Sequence, residues 1–509
     1  TMQMDAQQGW RRNDQSQLGI GRLRGWREVG AARLEGGITV SGSGWRSPGF
    51  VPVPQFNARA VRDAIDPTDG GRASRVIAHG RLSRPLGATQ FEATLWGQAV
   101  RSTLFLNIPE PGLELGQSRE RDARALGGMQ AQVGWRALGG EATVGSTARL
   151  DAGTYSLVDT RARVLGEQTV GYDARYAAGA LYARWRRVIA TRLGVDVGAR
   201  WDVLHYRANN QLDSAGWQGG THAIPSPKLG VRYLAGTHWA LTASSSAGFR
   251  GALGVIGDPA RAPFRAWAHE SGVEYTRAAL RARVTAFRTD VRDERIQDPV
   301  TRVISAAGRS RRQGLDLFAE WRVGMRPELR DGNAAPPRLR VAIGTTINDA
   351  TVRPPRIVNT DTAGGVRANT IPLLSMMAAE PTATPRLHDG PHAPPLSGQR
   401  IPGVARYTGR LESELATIGG TTIGAAWRVF GPFVPISEPD VETRAASVLD
   451  LSLALPLERV ARRGLVLDVA VLNTLNVRFV ENRSAGFVTP GLPRTVRVGL
   501  RTGAADRTH

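Results

Sequence analysis

The sequence predicts an all-β chain: a large antiparallel barrel that crosses a membrane with its strands. Three observations predict it. Apolar and polar residues alternate with period two in segment after segment, the pattern of a strand whose two faces meet unlike surroundings. The alternating runs last roughly 9 to 12 residues, longer than the 5 to 6 usual in globular sheets and matched to a tilted strand crossing a bilayer. Among 509 residues, with 59 Gly and 30 Pro, no apolar run approaches the ~20 residues that a spanning helix needs.

Taken in chain order, the segments near 33–46, 89–106 and 178–188 alternate first. Leu193, Val195, Val197, Ala199 and Trp201 then stand against Gly194, Asp196, Gly198, Arg200 and Asp202. Segments near 225–236, 238–251 and 278–292 follow. Leu315, Leu317, Ala319, Trp321 and Val323 oppose Asp316, Phe318, Glu320 and Arg322, and Leu339 to Ile347 repeats the rule. Beyond the segment near 405–418, Ile423, Ala425, Trp427 and Val429 share a face, as do Leu449, Leu451, Leu453, Leu455 and Leu457. The segment near 464–475 and the run Val496, Val498, Leu500 close the series. About 18 to 20 strands result. Trp201, Trp321, Trp427 and Tyr233 are placed near strand termini, where an aromatic girdle meets the membrane surface.

The connections are unequal. Gly419-Gly420 and Ala235-Gly236 read as tight turns, whereas 52–73, 207–224, 325–336 and 352–402 are polar or rich in Pro, Gly and Thr. Short turns at one end and long loops at the other are the asymmetry of outer-membrane barrels. Residues 352–402, with Pro381, Pro385, Pro391, Pro394 and Pro395, read as one long extracellular loop inside a single barrel domain, 1–503, followed by a polar tail, 504–509. A soluble sandwich or propeller also alternates. Against it stand the length of the runs and the charges and glycines on their polar face, which suit a wet lumen.

Composition removes several chemistries. Cysteine is absent, so no disulfide framework, thiolate metal site or cysteine nucleophile exists. Of eight histidines only His388 and His392 lie close together, short of the three ligands a metal centre usually needs. No Gly-x-Ser-x-Gly elbow sits between a strand and a helix, and no glycine-rich stretch runs into Lys-Ser or Lys-Thr. The reading is therefore no enzyme, no metal and no cofactor. Thr1 to Asp5 shows no basic segment followed by an apolar core, so a secretory leader is not visible, and a mature form or a fragment is expected.

The formal charge is +21, carried almost wholly by arginine, with Lys228 the only lysine. The arginines spread along the whole chain and alternate with apolar residues, unlike the one-faced cluster of a nucleic-acid module, which is excluded as a partner. They read as two basic surfaces, a lumen and a rim facing lipid and lipopolysaccharide. Alternation turns Arg184, Arg200, Arg281, Arg283, Arg322, Arg340, Arg428 and Arg497 toward the lumen, together with Asp196, Asp202, Asp316 and Glu320. Guanidinium forks grip carboxylates and phosphates, so these arginines are candidate binding residues for an anionic or metal-chelate solute. The competing reading is that they pair with carboxylates and bind nothing.

Several segments resemble one branch of the TonB-dependent outer-membrane receptors. Val53 to Val61 followed by Ile65-Asp66-Pro67-Thr68-Asp69-Gly70-Gly71 looks like one of their loops. Ser226 to Tyr233 running into Ser246-Ala247-Gly248-Phe249-Arg250, and Glu270 to Glu274 with Ser310 to Glu320, are similar to their mid-barrel strands. Ile401-Pro402-Gly403, Val429 to Pro432 and Leu467 to Leu475 resemble their closing strands. The resemblance implies a 22-stranded barrel in the bacterial outer membrane, closed by an N-terminal plug. It also implies uptake of scarce solutes such as siderophores or cobalamin, energised through the TonB complex where the plug is present. The plug pattern is not in this sequence, which is expected to begin inside an early strand, and the usual C-terminal aromatic gives way to a polar tail. The alternative is a passive outer-membrane pore, and a soluble all-β binding protein stands behind it.

Overall fold

Backbone ladders take up the alternating segments. A computed structural model describes residues 2–109, 115–251, 263–297, 304–324, 338–353, 399–417, 419–435, 438–457 and 465–502. The strands are β1 (Met2–Gln8), β2 (Gln15–Val29), β3 (Ala32–Arg46), β4 (Val51–Pro52), β5 (Gly70–Leu86), β6 (Thr89–Pro109), β7 (Leu115–Ala137) and β8 (Gly140–Arg161). Then come β9 (Val164–Ile189), β10 (Leu193–Asn210), β11 (Trp217–Leu234), β12 (Trp239–Arg250), β13 (Phe264–Arg277), β14 (Leu280–Gln297), β15 (Ile304–Val323) and β16 (Arg338–Arg353). The series ends with β17 (Tyr407–Ala416), β18 (Thr422–Phe430), β19 (Ala446–Pro456), β20 (Leu465–Leu472), β21 (Val480–Ser484), β22 (Phe487–Pro490) and β23 (Thr495–Thr502), and one short helix, α1 (Val53–Asn57), follows β4.

Twenty strands form one antiparallel sheet, the wall of a barrel. Each pairs with the next along the chain, with β3 passing to β5 and β20 to β23. Among the described residues, β1 and β23 each have one partner in this ladder. The remaining strands, β4, β21 and β22, make a separate three-stranded sheet over the end where the long connections lie. Most tight hairpins lie at the other end, but Ala162 and Arg163 join β8 to β9 tightly at the loop end. The connection from β15 to β16 leaves from the hairpin end, so 325–336 does not belong with the long loops, contrary to expectation. Leu138 and Gly139 join β7 to β8 with φ of 51° and 69°, the left-handed pair of a type I′ turn that follows the strand twist.

Register confirms the alternation. The leucines 451 and 453 of β19 are exposed outward at 40% and 36%, while Asp450 and Ser452 lie on the opposite face beside Ala426 and Gly424 of β18. The outward face carries Leu95, Leu150 and Leu181, each about two-thirds exposed (66–69%). Exposed apolar side chains repeated around a wall require an apolar surrounding, and lipid supplies one.

Strand length departs from the expectation of 9 to 12 residues. The longest, β9, has 26, and β10 runs nine residues past Trp201 to Asn210. Trp201 therefore does not stand near a strand terminus; it lies near the upper edge of the apolar band, with Val203 the last outward apolar residue, and the strand continues above it. Above that level the faces exchange character. On β10, Val197 and Trp201 point outward while Arg200 and Asp202 point in; further on, His205 and Arg207 are exposed and Leu204 and Tyr206 are buried. Residues 207–224, expected to be a loop, are mostly the paired ends of β10 and β11. Their outward face is polar because it meets water or headgroups, so they lack the apolar-outward alternation of the wall below.

The buried face above the band forms small cores. Ile296, Ala350, Val352 and Ile401 pack together with Val404, and Tyr155 and Val170 pack with Leu157, Tyr172 and Ala174. Val352 and Arg353 extend β16, so the strand enters the segment assigned to the 352–402 loop. The rest of that loop to residue 398, the 325–336 stretch and the 504–509 tail lie outside the described residues, and so do His388 and His392.

Close packing within the wall gives a test of register. A Cβ on Gly314 would lie 1.9 Å from the Ile347 carbonyl oxygen and 2.9 Å from the Phe287 ring, whereas one on Gly344 meets nothing within 4 Å. Gly314→Ala is expected to cost about 1–3 kcal/mol by overpacking and Gly344→Ala much less, as read by denaturant unfolding in detergent micelles. Equal losses at the two sites would contradict this register.

Candidate functional site

The ladder places every arginine assigned to the lumen on the inner face. Arg184 and Arg200 share parity with Asp196 and Asp202 across β9 and β10. Arg281 and Arg283 of β14 stand opposite Glu320 and Phe318 of β15, and Arg322 and Arg340 are themselves register partners. Arg428 of β18 lies opposite Arg410 of β17, and Arg497 of β23 opposite Ala470 of β20.

Most of these guanidiniums hold carboxylates. Arg184 donates to Asp196 through Nε at 2.8 Å, and Lys228 approaches the same carboxylate at 3.3 Å. Arg200 Nε reaches Asp202 at 2.9 Å and its terminal nitrogen reaches the Thr147 hydroxyl. Glu320 takes Arg322 at 2.6 Å and Arg340 at 2.8 Å. Arg340 extends to Glu412 at 3.2 Å, which also holds Arg410, and Arg428 pairs with Asp450 at 2.9 Å. Asp316 accepts a hydrogen bond from the Thr346 hydroxyl at 2.6 Å.

Arg281 and Arg283 differ. Both are exposed, and neither has a carboxylate within ion-pair distance among the described residues. The acids nearest to them in the ladder are engaged elsewhere, Glu320 as above and Glu274 with Arg232 at 2.8 Å. Arg497 likewise has no ion pair among the described residues. It lines a hollow of about 320 Å³ with Thr422, Ser452 and Asp468.

The inner wall also carries aromatic rings beside its cations. Arg200 lies 5.9 Å from the Tyr182 ring centroid and Arg149 5.6 Å from that of Tyr176. Above them Tyr206 stacks on His222 at 5.7 Å. The Tyr182 hydroxyl donates to Gln132 at 2.8 Å and accepts from Gln130 at 2.9 Å. Tyr176, Tyr182 and Tyr206 share the parity of Arg184 and Arg200 in β9 and β10, a signal that the strand alternation carries for rings as well as for charges.

At the loop end the β3–β5 connection folds into a polar cap. Asp69 is fully buried and accepts from the Asn107 backbone N–H at 3.1 Å, from its side-chain amide at 3.0 Å and from the Gln117 amide at 2.9 Å. Asp66 accepts from the Thr68 amide and hydroxyl and from Asn107. Arg11, from the β1–β2 connection, donates to the carbonyls of Pro48, Gly49, Val61 and Asp63. The hairpin residue Arg163, at φ 68°, is held by its N–H to Gln117 and by its Nε to the Thr68 carbonyl.

The two cap carboxyls shift in opposite directions. Burial pushes Asp69 above its ordinary value, aided by the Asp66 charge and against the donors from Gln117 and Asn107. Burial also opposes ionisation of Asp66, but the Thr68 and Asn107 hydrogen bonds and the Arg163 charge outweigh it and hold the carboxyl below its ordinary value. Asp66 therefore stabilises the cap above the ordinary carboxylate pKa, and this contribution is lost as pH falls through its lowered one. Asp69 contributes most below the ordinary pKa and loses that contribution as pH rises through its raised one. In Asp69→Asn the Asp66 contribution stands alone. Protection of residues 47–69 in hydrogen exchange, corrected for intrinsic rates, is then expected to weaken below about pH 4; protection that strengthens on acidification would contradict the assignment.

Comparison with known proteins agrees with this architecture. The family described as TonB dependent receptor-like, beta-barrel, matches residues 81–477. No curated protein matches the sequence. Among solved structures, the ferric citrate transporter FecA in its unliganded form is similar with a TM-score of 0.73 at 14% identity, covering 97% of this chain and 71% of FecA. The ferric yersiniabactin uptake receptor FyuA from Yersinia pestis gives 0.69 at 13% identity, over 98% of this chain and 74% of its own. The ferric-catecholate import receptor Fiu from K12 E. coli gives 0.67 at 14%, over 98% and 76%. At these identities the likeness speaks for the fold.

Proposed function

The chain belongs to the TonB-dependent receptor-like β-barrels, a family of outer-membrane transport receptors and not of enzymes, and we propose that its inner wall binds and conducts a scarce anionic solute, an iron chelate before cobalamin, across the bacterial outer membrane. Energy comes through TonB, whose contact belongs to a plug segment and not to this wall. The observation that carries the reading is the pair Arg281 and Arg283: two exposed inner-face guanidiniums whose neighbouring carboxylates are held by other arginines. An unpaired guanidinium in a partly shielded lumen gains more from an incoming anion than one that must first release a carboxylate. Ferric citrate, carried by one relative of the same fold, has the charge type that suits such a wall. The five paired candidates, Arg184, Arg200, Arg322, Arg340 and Arg428, shape the lumen and offer exchangeable partners to a multiply charged chelate.

The test is a titration of the chain in detergent with ferric citrate and with an uncharged iron chelate. Ferric citrate is expected to bind with an affinity that falls as salt rises, and Arg281→Gln with Arg283→Gln is expected to weaken it about tenfold, a loss of about 1.4 kcal/mol. Binding that ignores both salt and the two substitutions would overturn the assignment.

A further inference from the structure

Above the apolar band, on the outer face of the wall, the strands β7 to β11 build a second basic site. Arg175 of β9 and Arg207 of β10 are direct register partners, so two like charges face each other across one ladder step. Such a pair is unfavourable unless something negative joins it, and neither arginine has an ion pair among the described residues. Both lie against the same exposed ring, with their guanidinium carbons 5.0 Å and 5.2 Å from the Trp217 centroid. The ring fixes two flexible side chains at one place and orients them.

Beneath them runs a groove of about 640 Å³. Its outer-face lining is small and apolar: Ala125, Gly127, Leu150, Ala152 and Ala177, with His205 beside the arginines. Asp151 also borders it but belongs to the inner face, where it holds Arg149 at 2.9 Å. The level of the site follows from β10. His205 lies four residues above Trp201, about 13 Å along the strand and roughly 10 Å along the membrane normal at the usual tilt. That is the headgroup layer over the hydrocarbon.

We propose that this groove is a site for a phosphorylated, acylated lipid of the leaflet at the loop end, of the lipid A type, with a phosphate between Arg175 and Arg207 and an acyl chain along Ala125, Gly127, Leu150 and Ala177. Charge complementarity selects the phosphate, because two guanidinium forks match its oxygens. The small residues select a chain, because they leave room beside the exposed Leu150, and the exposed Leu181 lies on the same outer face nearer the apolar band. The inference rests on the outer-membrane placement proposed above and adds to it a defined lipid contact remote from the lumen.

The experiment uses the full chain in two forms, wild type and Arg175→Gln/Arg207→Gln, with Trp217→Ala as a second variant that leaves both charges. Native mass spectrometry from detergent is run with lipid A, phosphatidylglycerol, phosphatidylcholine or inorganic phosphate, and flotation is run with phosphatidylcholine vesicles. Wild type is expected to retain lipid A, the double variant at least about tenfold less, and Trp217→Ala to fall between them. Equal retention by wild type and double variant overturns the site. So does wild-type retention of phosphatidylglycerol equal to that of lipid A, which reports charge alone, or displacement of lipid A by inorganic phosphate, which reports a free-anion site. Flotation separates the two failures. A protein that floats but shows no lipid A preference loses only this inference, whereas one that does not float loses the membrane reading itself.

Discussion

Replacing Leu451 or Leu453 by arginine is expected to lower the stability of the bilayer-inserted chain by about 2–4 kcal/mol, and removing Arg322 by much less. The two leucines sit on the outward face of β19, exposed at 40% and 36%, and register pairs them with Ala425 and Ile423 of the same apolar face. Near the bilayer midplane a guanidinium there must drag water in or bend toward the interface. Arg322 lies on the inner face in an ion pair with Glu320 and is itself about half exposed. Water screens that pair, which is worth at most about 1 kcal/mol. Reversible unfolding in guanidinium from lipid vesicles measures all three substitutions on one scale. Equal costs would mean that the two faces of β19 and β15 are not lipid and lumen.

The second large effect is expected at the cap. Asp69→Ala removes the acceptor shared by the Asn107 backbone N–H and two side-chain amides. Asn107 and Gln117 retain contacts to Asp66, but the Asn107 N–H is left buried with no acceptor. A loss of about 2–4 kcal/mol of local stability follows. It should appear as fast proteolysis between residues 47 and 69 and at the docked Ala162-Arg163 hairpin, while the unfolding midpoint of the wall stays nearly constant. Asp66→Ala is expected to be milder, because the Thr68 groups it serves lie nearer water. Global unfolding in Asp69→Ala would mean that the cap and the wall form one cooperative unit.

The wall was legible in the sequence because lipid and lumen impose opposite demands on successive residues. Leu449 to Leu455 and Leu315 to Val323 carry that contrast in most steps, with Ala454 and Phe318 as inward exceptions, and their inward partners follow by parity. The pattern failed where the surroundings change. Beyond Val203 the outward residues become His205 and Arg207 and the inward ones Leu204 and Tyr206, so strand persists while its apolar face changes sides. The cap was less legible still. Asp66 to Gly71 stands out as a segment, but the amides that donate to its carboxylates, Asn107 and Gln117, lie 38 and 48 residues from Asp69 on strands that only the ladder brings together. The basic lumen was readable as a set of arginines. Which of them hold carboxylates was not, because Glu320 and Glu274 choose among arginines on three neighbouring strands, and that choice follows from register and not from spacing.

Within the apolar band, one face of each wall strand is expected to meet lipid and the other a wet, charged lumen. The chain has no cysteine, so single cysteines can be placed at each position from Leu449 to Leu455, labelled with a polarity-sensitive fluorophore, and read in lipid vesicles with a lipid-confined and a water-soluble quencher. Strict alternation is expected: labels at 449, 451, 453 and 455 quenched from lipid, and labels at 450, 452 and 454 quenched from water. Labels quenched from water at all seven positions, or an alternation of the opposite phase, would contradict it.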